Sequence, residues 1–158
     1  MAGIPIYETP ILPEWIDYNG HLRDAYYGLI VSLATDALMD HVGLDAAYRT
    51  RTGCTLYTVE MHIHFLREVK QNERVGVGVR IAGADAKRVH AAFEIIPNGQ
   101  SATAATAELM LLHVRQHGGN AVVLTAPPCW RTCSSMSSAV AAVADWPLGM
   151  ISKAACTR

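Results

Sequence analysis

The residues best suited to chemistry lie in one segment, Pro13 to Tyr27. Asp17 stands three residues before Gly20, and His21 follows that glycine directly. An ionised carboxylate beside a carbonyl group can attack its carbon or take a proton from water. Gly20 allows the backbone to turn closely at this point. This spacing alone favours an aspartate that merely stabilises a turn. Its position before a long helix and a series of strands, described below, instead predicts a catalytic Asp17.

Two further residues are candidates for supporting roles. His21 could position the acid or the substrate. It could instead pack at the entrance of the following helix, and the sequence leaves both interpretations open. Glu60 lies in a strand-like run, where a carboxylate among apolar neighbours titrates high and can act as a base. Its alternation with Thr58 and His62 instead favours a polar, solvent-facing position.

A long helix is predicted directly after this segment. Apolar residues recur with helical spacing, Asp24 is a plausible N-cap and Gly43 a natural stop, so the helix should run roughly from 24 to 42. The face expected against a sheet comprises Leu29, Ile30, Leu33, Ala37 and Leu38. One further helical turn is expected at Asp45–Arg49.

Five segments have the pattern of strands. They are Ile4–Ile11, Cys54–Glu68, Arg74–Ala82, Arg88–Ile96 and Gln100–Val114, with the first at an edge because it contains prolines. Strict alternation in the second puts Leu56, Thr58, Glu60, His62, His64 and Leu66 on one side. Asn98-Gly99 predicts a hairpin between the last two strands. The order predicts an α+β domain in which an antiparallel sheet wraps around one helix.

The Asp17-to-Gly20 segment, placed before this helix and these strands, resembles hotdog-fold acyl-CoA thioesterases of the 4-hydroxybenzoyl-CoA thioesterase type. The resemblance covers roughly residues 6 to 115. It implies a hotdog fold of about five strands, with hydrolysis of a short acyl-CoA by Asp17 as nucleophile or general base. Coenzyme A is then part of the substrate, and no cofactor is expected. The chain departs from the family at Arg23, where relatives often carry asparagine.

A narrower resemblance concerns residues 57–69 and 85–88, which look like the thioesterases associated with carnitine breakdown. Those act on betainyl-CoA, whose acyl group ends in trimethylammonium. Aromatic faces near an acid suit such a cation. The predicted substrate-binding residues are Trp15, Tyr18, Asn19, Gly20, Tyr26, Tyr27 and Tyr57. The resemblance also implies that Lys87 and Arg88 bind the phosphates of coenzyme A, with an ordinary solvated turn as the alternative.

Two other functions fit the same fold. A hotdog hydratase or dehydratase typically carries Asp-x-x-x-x-His, whereas Asp17 and His21 are one residue closer together. A non-catalytic acyl-CoA binding module would keep the fold and pocket without needing the acid. Fold alone does not decide between them.

Composition narrows the remaining possibilities. The chain has 158 residues, which suits one hotdog domain at 1–117, followed by an atypical tail at 118–158 that is irregular or weakly helical. Hydrophobic residues at 51% against 17% charged suggest a homodimer or homotetramer. A net charge of -1 gives no case for nucleic-acid binding.

Localisation and metal binding are also addressed by sequence. No apolar run is long enough for a membrane span, and the cysteines form no CxxC pair, which indicates a reducing cytoplasm. His62-x-His64 lacks an evident third ligand, so no metal site is expected.

Overall fold

The computed structural model describes residues 3–117 and 120–123. The strands are β1 (Ile4–Pro10), β2 (Cys54–Phe65), β3 (Arg74–Ala84), β4 (Arg88–Pro97), β5 (Ala105–His117) and β6 (Asn120–Val123). The helices are α1 (Asp24–His41) and α2 (Ala46–Thr52), and a single 3-10 turn spans Pro13–Trp15.

All strand pairs of the sheet are antiparallel. The order is β1-β3-β4-β5-β2, and β6 pairs with β5 beyond the end of β4. Helix α1 supplies part of a continuous apolar core with the inner face of the sheet. The predicted α+β hotdog architecture is therefore confirmed. Within the described residues, β1 and β2 each pair on one side only, so both are edge strands.

Helix α1 turns a different face to the sheet from the one predicted. Its buried residues are Tyr27, Ile30, Val31, Ala34, Thr35, Leu38 and Met39. Ile30 and Leu38 are buried as expected, but Leu29 is exposed, and Leu33 and Ala37 are only half-buried. The helix carries apolar residues around most of its circumference, so spacing alone does not fix its rotation. The contacts with the sheet decide it.

A β-bulge at Val59 changes the alternation predicted for β2. Thr58 pairs with Leu111, and Glu60 pairs with the next residue, Met110, so Val59 is the extra residue. Strict alternation along the whole strand is therefore wrong. Leu56 before the bulge and Ile63 after it share the inner, helix-facing side of the sheet. Glu60, His62 and His64 consequently lie on the outer side.

The sheet has two ends that carry different functional candidates. At one end, β1 leads into the Asp17 loop and α1 begins; we call this the Asp17 end. At the other end, the β3–β4 turn with Lys87 lies beside the start of β2, because Arg88 pairs with Leu112 and Tyr57 pairs with the same residue. We call this the Lys87 end. From Tyr57 to Phe65, β2 runs about 26 Å at ~3.3 Å per residue.

Several local predictions are confirmed and others need correction. Asp45 caps α2 by accepting a hydrogen bond from the Tyr48 N–H at 2.8 Å. Gly43 has φ +79° at the end of α1, as a stop signal requires. β5 begins at Ala105 rather than at 100, so Asn98-Gly99 opens a longer connection instead of a tight hairpin.

The predicted tail at 118–158 begins within the sheet, since β6 lies at 120–123. The remainder of the tail falls outside the described residues. Among the described residues, no helix has the length and apolar character needed to cross a membrane.

Candidate active site

Asp17 is held by the loop that it opens. Its Oδ1 accepts hydrogen bonds from the backbone N–H groups of Asn19 at 2.8 Å and His21 at 3.0 Å. The backbone closes the same turn, because the Gly20 N–H donates to the Asp17 carbonyl at 3.1 Å. Gly20 has φ +83°, a conformation that side chains disfavour. The sequence pattern of an acid three residues before a glycine is therefore explained by this turn.

The two carboxylate oxygens of Asp17 differ. Among the described residues, Oδ2 contacts only the side-chain amide of Asn19, at the long distance of 3.4 Å. The His21 N–H is the largest cause that holds the pKa of Asp17 below its usual range; desolvation opposes it, and the two contacts with Asn19 add to the lowering. Asp17 is therefore ionised at neutral pH, with one oxygen fixed and the other available.

His21 is tied to the segment after β2. Its Nε2 lies 3.1 Å from Oε2 of Glu68, and its backbone forms a bridge with Lys70. The carbonyl of His21 also accepts the Asp17 N–H at 2.8 Å. His21 thus positions the acid through its backbone, while its imidazole is directed toward Glu68.

The start of α1 differs in detail from the prediction. Arg23 occupies the N-cap position and Asp24 is the first helical residue. The Asp24 carboxylate accepts the Ala25 N–H at 2.8 Å, so it occupies one of the donors at the helix start. The Arg23 Nε donates to the Ile16 carbonyl at 3.1 Å and does not pair with Asp17. Arg23 therefore braces the loop from outside.

Three of the predicted aromatic residues do gather at the Asp17 end. Trp15 and Tyr26 stack with ring centroids 5.4 Å apart, and Tyr27 meets Phe65 edge-on at 5.1 Å. Tyr27 is buried, and desolvation raises the pKa of its phenol, so it stays neutral. Tyr18 is 95% exposed and takes no part in this cluster within one chain.

Glu60 does not join this group in the described chain. It lies on the outer side of the sheet, where its Oε1 is 2.5 Å from Nε2 of His62. Across the same face, His90 and Glu108 form a second pair at 3.0 Å. The structure therefore gives Glu60 the polar, outward-facing position that was the alternative to a catalytic base. No group of three or more metal-ligating side chains occurs within the described part of the chain.

The remaining predicted site residues lie at the Lys87 end. Asp85 accepts the backbone N–H groups of Lys87 and Arg88 and contacts the Arg88 guanidinium, with Nε to Oδ2 at 2.7 Å. The side chain of Lys87 is exposed. Tyr57 is half-exposed and accepts a hydrogen bond from Gln116 at 2.6 Å. One chain therefore separates these residues from Asp17 by the length of the sheet.

Sequence analysis missed Glu68 and Phe65 as neighbours of the site. Phe65 was assigned correctly to a strand, but its contact with Tyr27 depends on the Val59 bulge, which alternation does not reveal. Glu68 reaches His21 because the segment after β2 returns beside the Asp17 loop, where the Leu22 N–H donates to the Val69 carbonyl at 2.8 Å. No local signal encodes that pairing.

Comparison with known proteins identifies the family. The model of the Thioesterase-like superfamily matches residues 11–148. This chain belongs to that superfamily. The match includes Asp17 and extends past the boundary predicted at 117.

Individual relatives agree. The chain is 52% identical over 112 residues to the betainyl-CoA thioesterase of Pseudomonas aeruginosa, covering 71% of this chain and 70% of the relative. It is 42% identical to the L-carnitine dehydrogenase/betainyl-CoA thioesterase of Agrobacterium fabrum over 78% of this chain, which is 25% of that larger protein.

Solved structures show the same fold. A Pseudomonas putida KT2440 protein described as a thioesterase superposes with a TM-score of 0.73 at 37% identity, covering 95% of this chain and 94% of that one. A Staphylococcus aureus protein in complex with CoA gives 0.75 at 25% identity, covering 94% and 92%. Together with the family match, these relatives show that the chain is a thioester hydrolase. Hydrolysis is therefore favoured over the hydratase and binding-module alternatives.

Proposed function

We propose that this enzyme is an acyl-CoA thioesterase that hydrolyses betainyl-CoA to betaine and free coenzyme A. The 52% identity to a betainyl-CoA thioesterase over 71% of the chain carries the choice of substrate. The CoA complex of a structural relative supports the thioester partner. The ionised Asp17 in its fixed turn supplies the reacting group.

The proposed chemistry uses Asp17 as the nucleophile. Oδ2 attacks the thioester carbon, and the C–S bond breaks to give a mixed anhydride and the thiolate of coenzyme A. Water then cleaves the anhydride, which regenerates the carboxylate, releases the acid and protonates the thiolate. The geometry of Asp17 supports direct attack, because Oδ2 has only the long 3.4 Å contact with the Asn19 side chain. General-base activation of water by the same carboxylate is the alternative route.

The nucleotide end of the substrate is assigned to binding by Lys87 and Arg88. Exposed cations at a turn bind phosphate groups, and arginine does so with two parallel hydrogen bonds. Arg88 is held in place by Asp85, and Lys87 projects beside it without an ion pair among the described residues. We assign this pair to the nucleotide phosphates of coenzyme A.

The separation of these cations from Asp17 supports a homodimer that pairs through β2. This edge strand exposes Tyr57, Val59, Met61 and Phe65, and an unpaired edge is a template for a second strand. Antiparallel pairing centred near Met61 would place Glu60 opposite the second copy's His62, which is a favourable charge match. It would also bring the end of β2 near Phe65 beside the start of the second copy's β2. The Lys87 end of one subunit then adjoins the Asp17 end of the other.

The proposed setting is the cytoplasm, where coenzyme A thioesters are handled and thiols stay reduced. The buried free thiol of Cys54 fits such a compartment. The net charge of -1 gives no electrostatic reason to propose a nucleic-acid partner. The homodimer could further assemble into a tetramer across the outer face of the sheet.

The deciding experiment is a thiol-release assay across matched substrates. The panel contains betainyl-CoA, acetyl-CoA and 3,3-dimethylbutanoyl-CoA, in which a neutral tert-butyl group replaces trimethylammonium. We expect kcat/KM for betainyl-CoA to exceed the other two by at least ~10-fold, the scale of discrimination by a charged pocket. Equal rates for the isosteric pair would remove the cationic acyl group from the proposal. No thiol release from any member would reject acyl-CoA hydrolysis itself.

A further inference from the structure

A cavity of about 490 Å³ lies at the Lys87 end, at the edge of the sheet between α1, α2 and the start of β2. That size is within the roughly 300–1,000 Å³ of ligand pockets. Its lining includes Asp36, Met39, Asp40, Arg49, Leu56 and Tyr57. Nothing proposed so far for the reaction uses this cavity.

Two acids of the cavity are placed at some energetic cost. Asp36 and Asp40 lie one helical turn apart on α1, and like charges at this spacing destabilise a helix. Both are exposed, and neither forms an ion pair within the described residues. Arg49 lines the same cavity but donates to the Leu44 carbonyl at 3.1 Å. A bound cation would relieve the repulsion between the two carboxylates.

The direction of α1 shows what the cavity would face in a dimer. Tyr27 near its start contacts Phe65 near the end of β2, and Met39 near its end contacts Thr55 near the start of β2, with Oγ1 to Sδ at 3.9 Å. Helix α1 therefore runs alongside β2 in the opposite direction. In a dimer paired antiparallel through β2, the start of α1 in one copy lies beside the end of α1 in the other.

We propose that the cavity of a second copy of this chain receives the trimethylammonium end of the acyl group whose thioester is attacked by Asp17. This inference rests on the proposed function and on the pairing of two copies through β2. Asp36 and Asp40 would supply negative charge, and Tyr57 an aromatic face, a combination that favours a quaternary ammonium group. Specificity for the cationic acyl group then comes from one subunit and the reacting carboxylate from the other.

The first test compares the isosteric substrates in the double variant Asp36→Asn/Asp40→Asn. The ratio of kcat/KM for betainyl-CoA over 3,3-dimethylbutanoyl-CoA should fall ~10- to 100-fold, because only the cationic substrate loses an attraction. Hydrolysis of the neutral substrate should stay within about threefold. Glu94→Gln removes a carboxylate from the outer sheet face and should leave the ratio unchanged. An unchanged ratio in the double variant overturns the proposal while leaving the thioesterase function intact.

The second test asks whether the two parts belong to different subunits. Chains carrying Asp17→Asn and Asp36→Asn/Asp40→Asn are co-expressed with different affinity tags, and the mixed dimer is isolated through both. One of its two sites then combines an intact Asp17 with an intact cavity, so about half of the wild-type betainyl-CoA activity should return. Activity no greater than that of the two parent variants would mean that the cavity does not serve the partner's Asp17.

Failure of the inference and failure of the function give different results. Loss of all thiol release in the unmodified protein rejects the function. Normal thiol release with an unaltered substrate ratio rejects only the cavity. Asp36 and Asp40 are both exposed, so the double variant should fold. Circular dichroism and the rate of hydrolysis of the neutral substrate verify this in the same preparation.

Discussion

The two ends of the sheet differ in how much of their function one chain contains. At the Asp17 end, the acid, its hydrogen-bond donors and the stacked pair Trp15 and Tyr26 are assembled by local contacts. At the Lys87 end, the exposed Lys87, the half-buried Arg88 and a cavity lie far from Asp17. The first end holds the candidate nucleophile, and the second holds the groups assigned to binding.

This difference is the reason for proposing a division of labour between two subunits. A carboxylate with one free oxygen can attack only a substrate that is held still, and such positioning supplies much of the rate enhancement in enzymes. The groups suited to holding an acyl-CoA stand about 26 Å away along β2, given ~3.3 Å per residue. Pairing of two β2 edges is the simplest arrangement that brings both sets together.

The largest expected effect comes from removing the charge at the Asp17 end. Asp17→Asn keeps the size of the side chain and can still accept hydrogen bonds from the Asn19 and His21 N–H groups. Turnover should fall at least ~100-fold, the scale for losing a positioned acid–base or nucleophilic group. Steady-state thiol release measures it, and a change confined to KM would contradict the assignment.

A matched control and a pH profile sharpen the same point. Glu60→Gln lies on the outer side of the sheet and should have a much smaller effect on turnover. Since the pKa of Asp17 is lowered in the folded protein, kcat should stay level as pH falls from neutral until below the usual range of an aspartate. An acid limb near neutral pH, or abolition of activity by Glu60→Gln alone, would place the essential group elsewhere.

Much of the Asp17 end could be predicted from sequence because its contacts are local. The turn is closed within residues 17 to 21, and capping and spacing identified α1 within one residue at each end. The helix rotation and the separation of Leu56 from Glu60 onto opposite faces of β2 could not be predicted. Both depend on pairings between distant strands, and the Val59 bulge reverses the side on which every later residue of β2 lies.

The separation of the two groups of site residues along the sheet could not be predicted from sequence either. Residues around Asp17 and residues around Lys87 were predicted to form one site, which the chemistry of the substrate suggested. Strand order decides that they lie at opposite ends, and order arises from long-range pairing that no short segment records. The same prediction becomes consistent with the structure once a second copy is considered.

The next largest effect should follow from separating the two copies. Met61 is 36% exposed on β2 and lies near the proposed two-fold axis. Met61→Lys would set two ammonium groups opposite each other, which destabilises a cross-strand pair. Light scattering should show a shift toward monomer, and activity should fall ~10-fold or more at low protein concentration and recover as the concentration rises.

The other edge of the sheet provides the control for this variant. Ile4 is 37% exposed on β1, so Ile4→Lys introduces the same charge at a matched exposure on an edge that the proposal leaves unpaired. It should alter neither the oligomeric state nor turnover. If Ile4→Lys separates the subunits and Met61→Lys does not, the interface lies at β1, and the union of the two ends through β2 is wrong.

The smallest expected effect tests the binding role of the Lys87 end. Lys87→Ala removes an exposed cation and leaves the Asp85–Arg88 contact in place. Contacts with phosphate act equally on the ground state and the transition state, so KM for an acyl-CoA should rise ~5- to 10-fold with kcat nearly unchanged. Hydrolysis of the corresponding acyl-pantetheine, which lacks the nucleotide phosphates, should not respond to the substitution.

Arg80→Ala, which removes an exposed cation from β3, is the matched control and should alter neither KM nor kcat for either substrate. An equal loss on both substrates would show that Lys87 acts on something other than the nucleotide, and a loss confined to kcat would place it at the reaction instead of at the binding end.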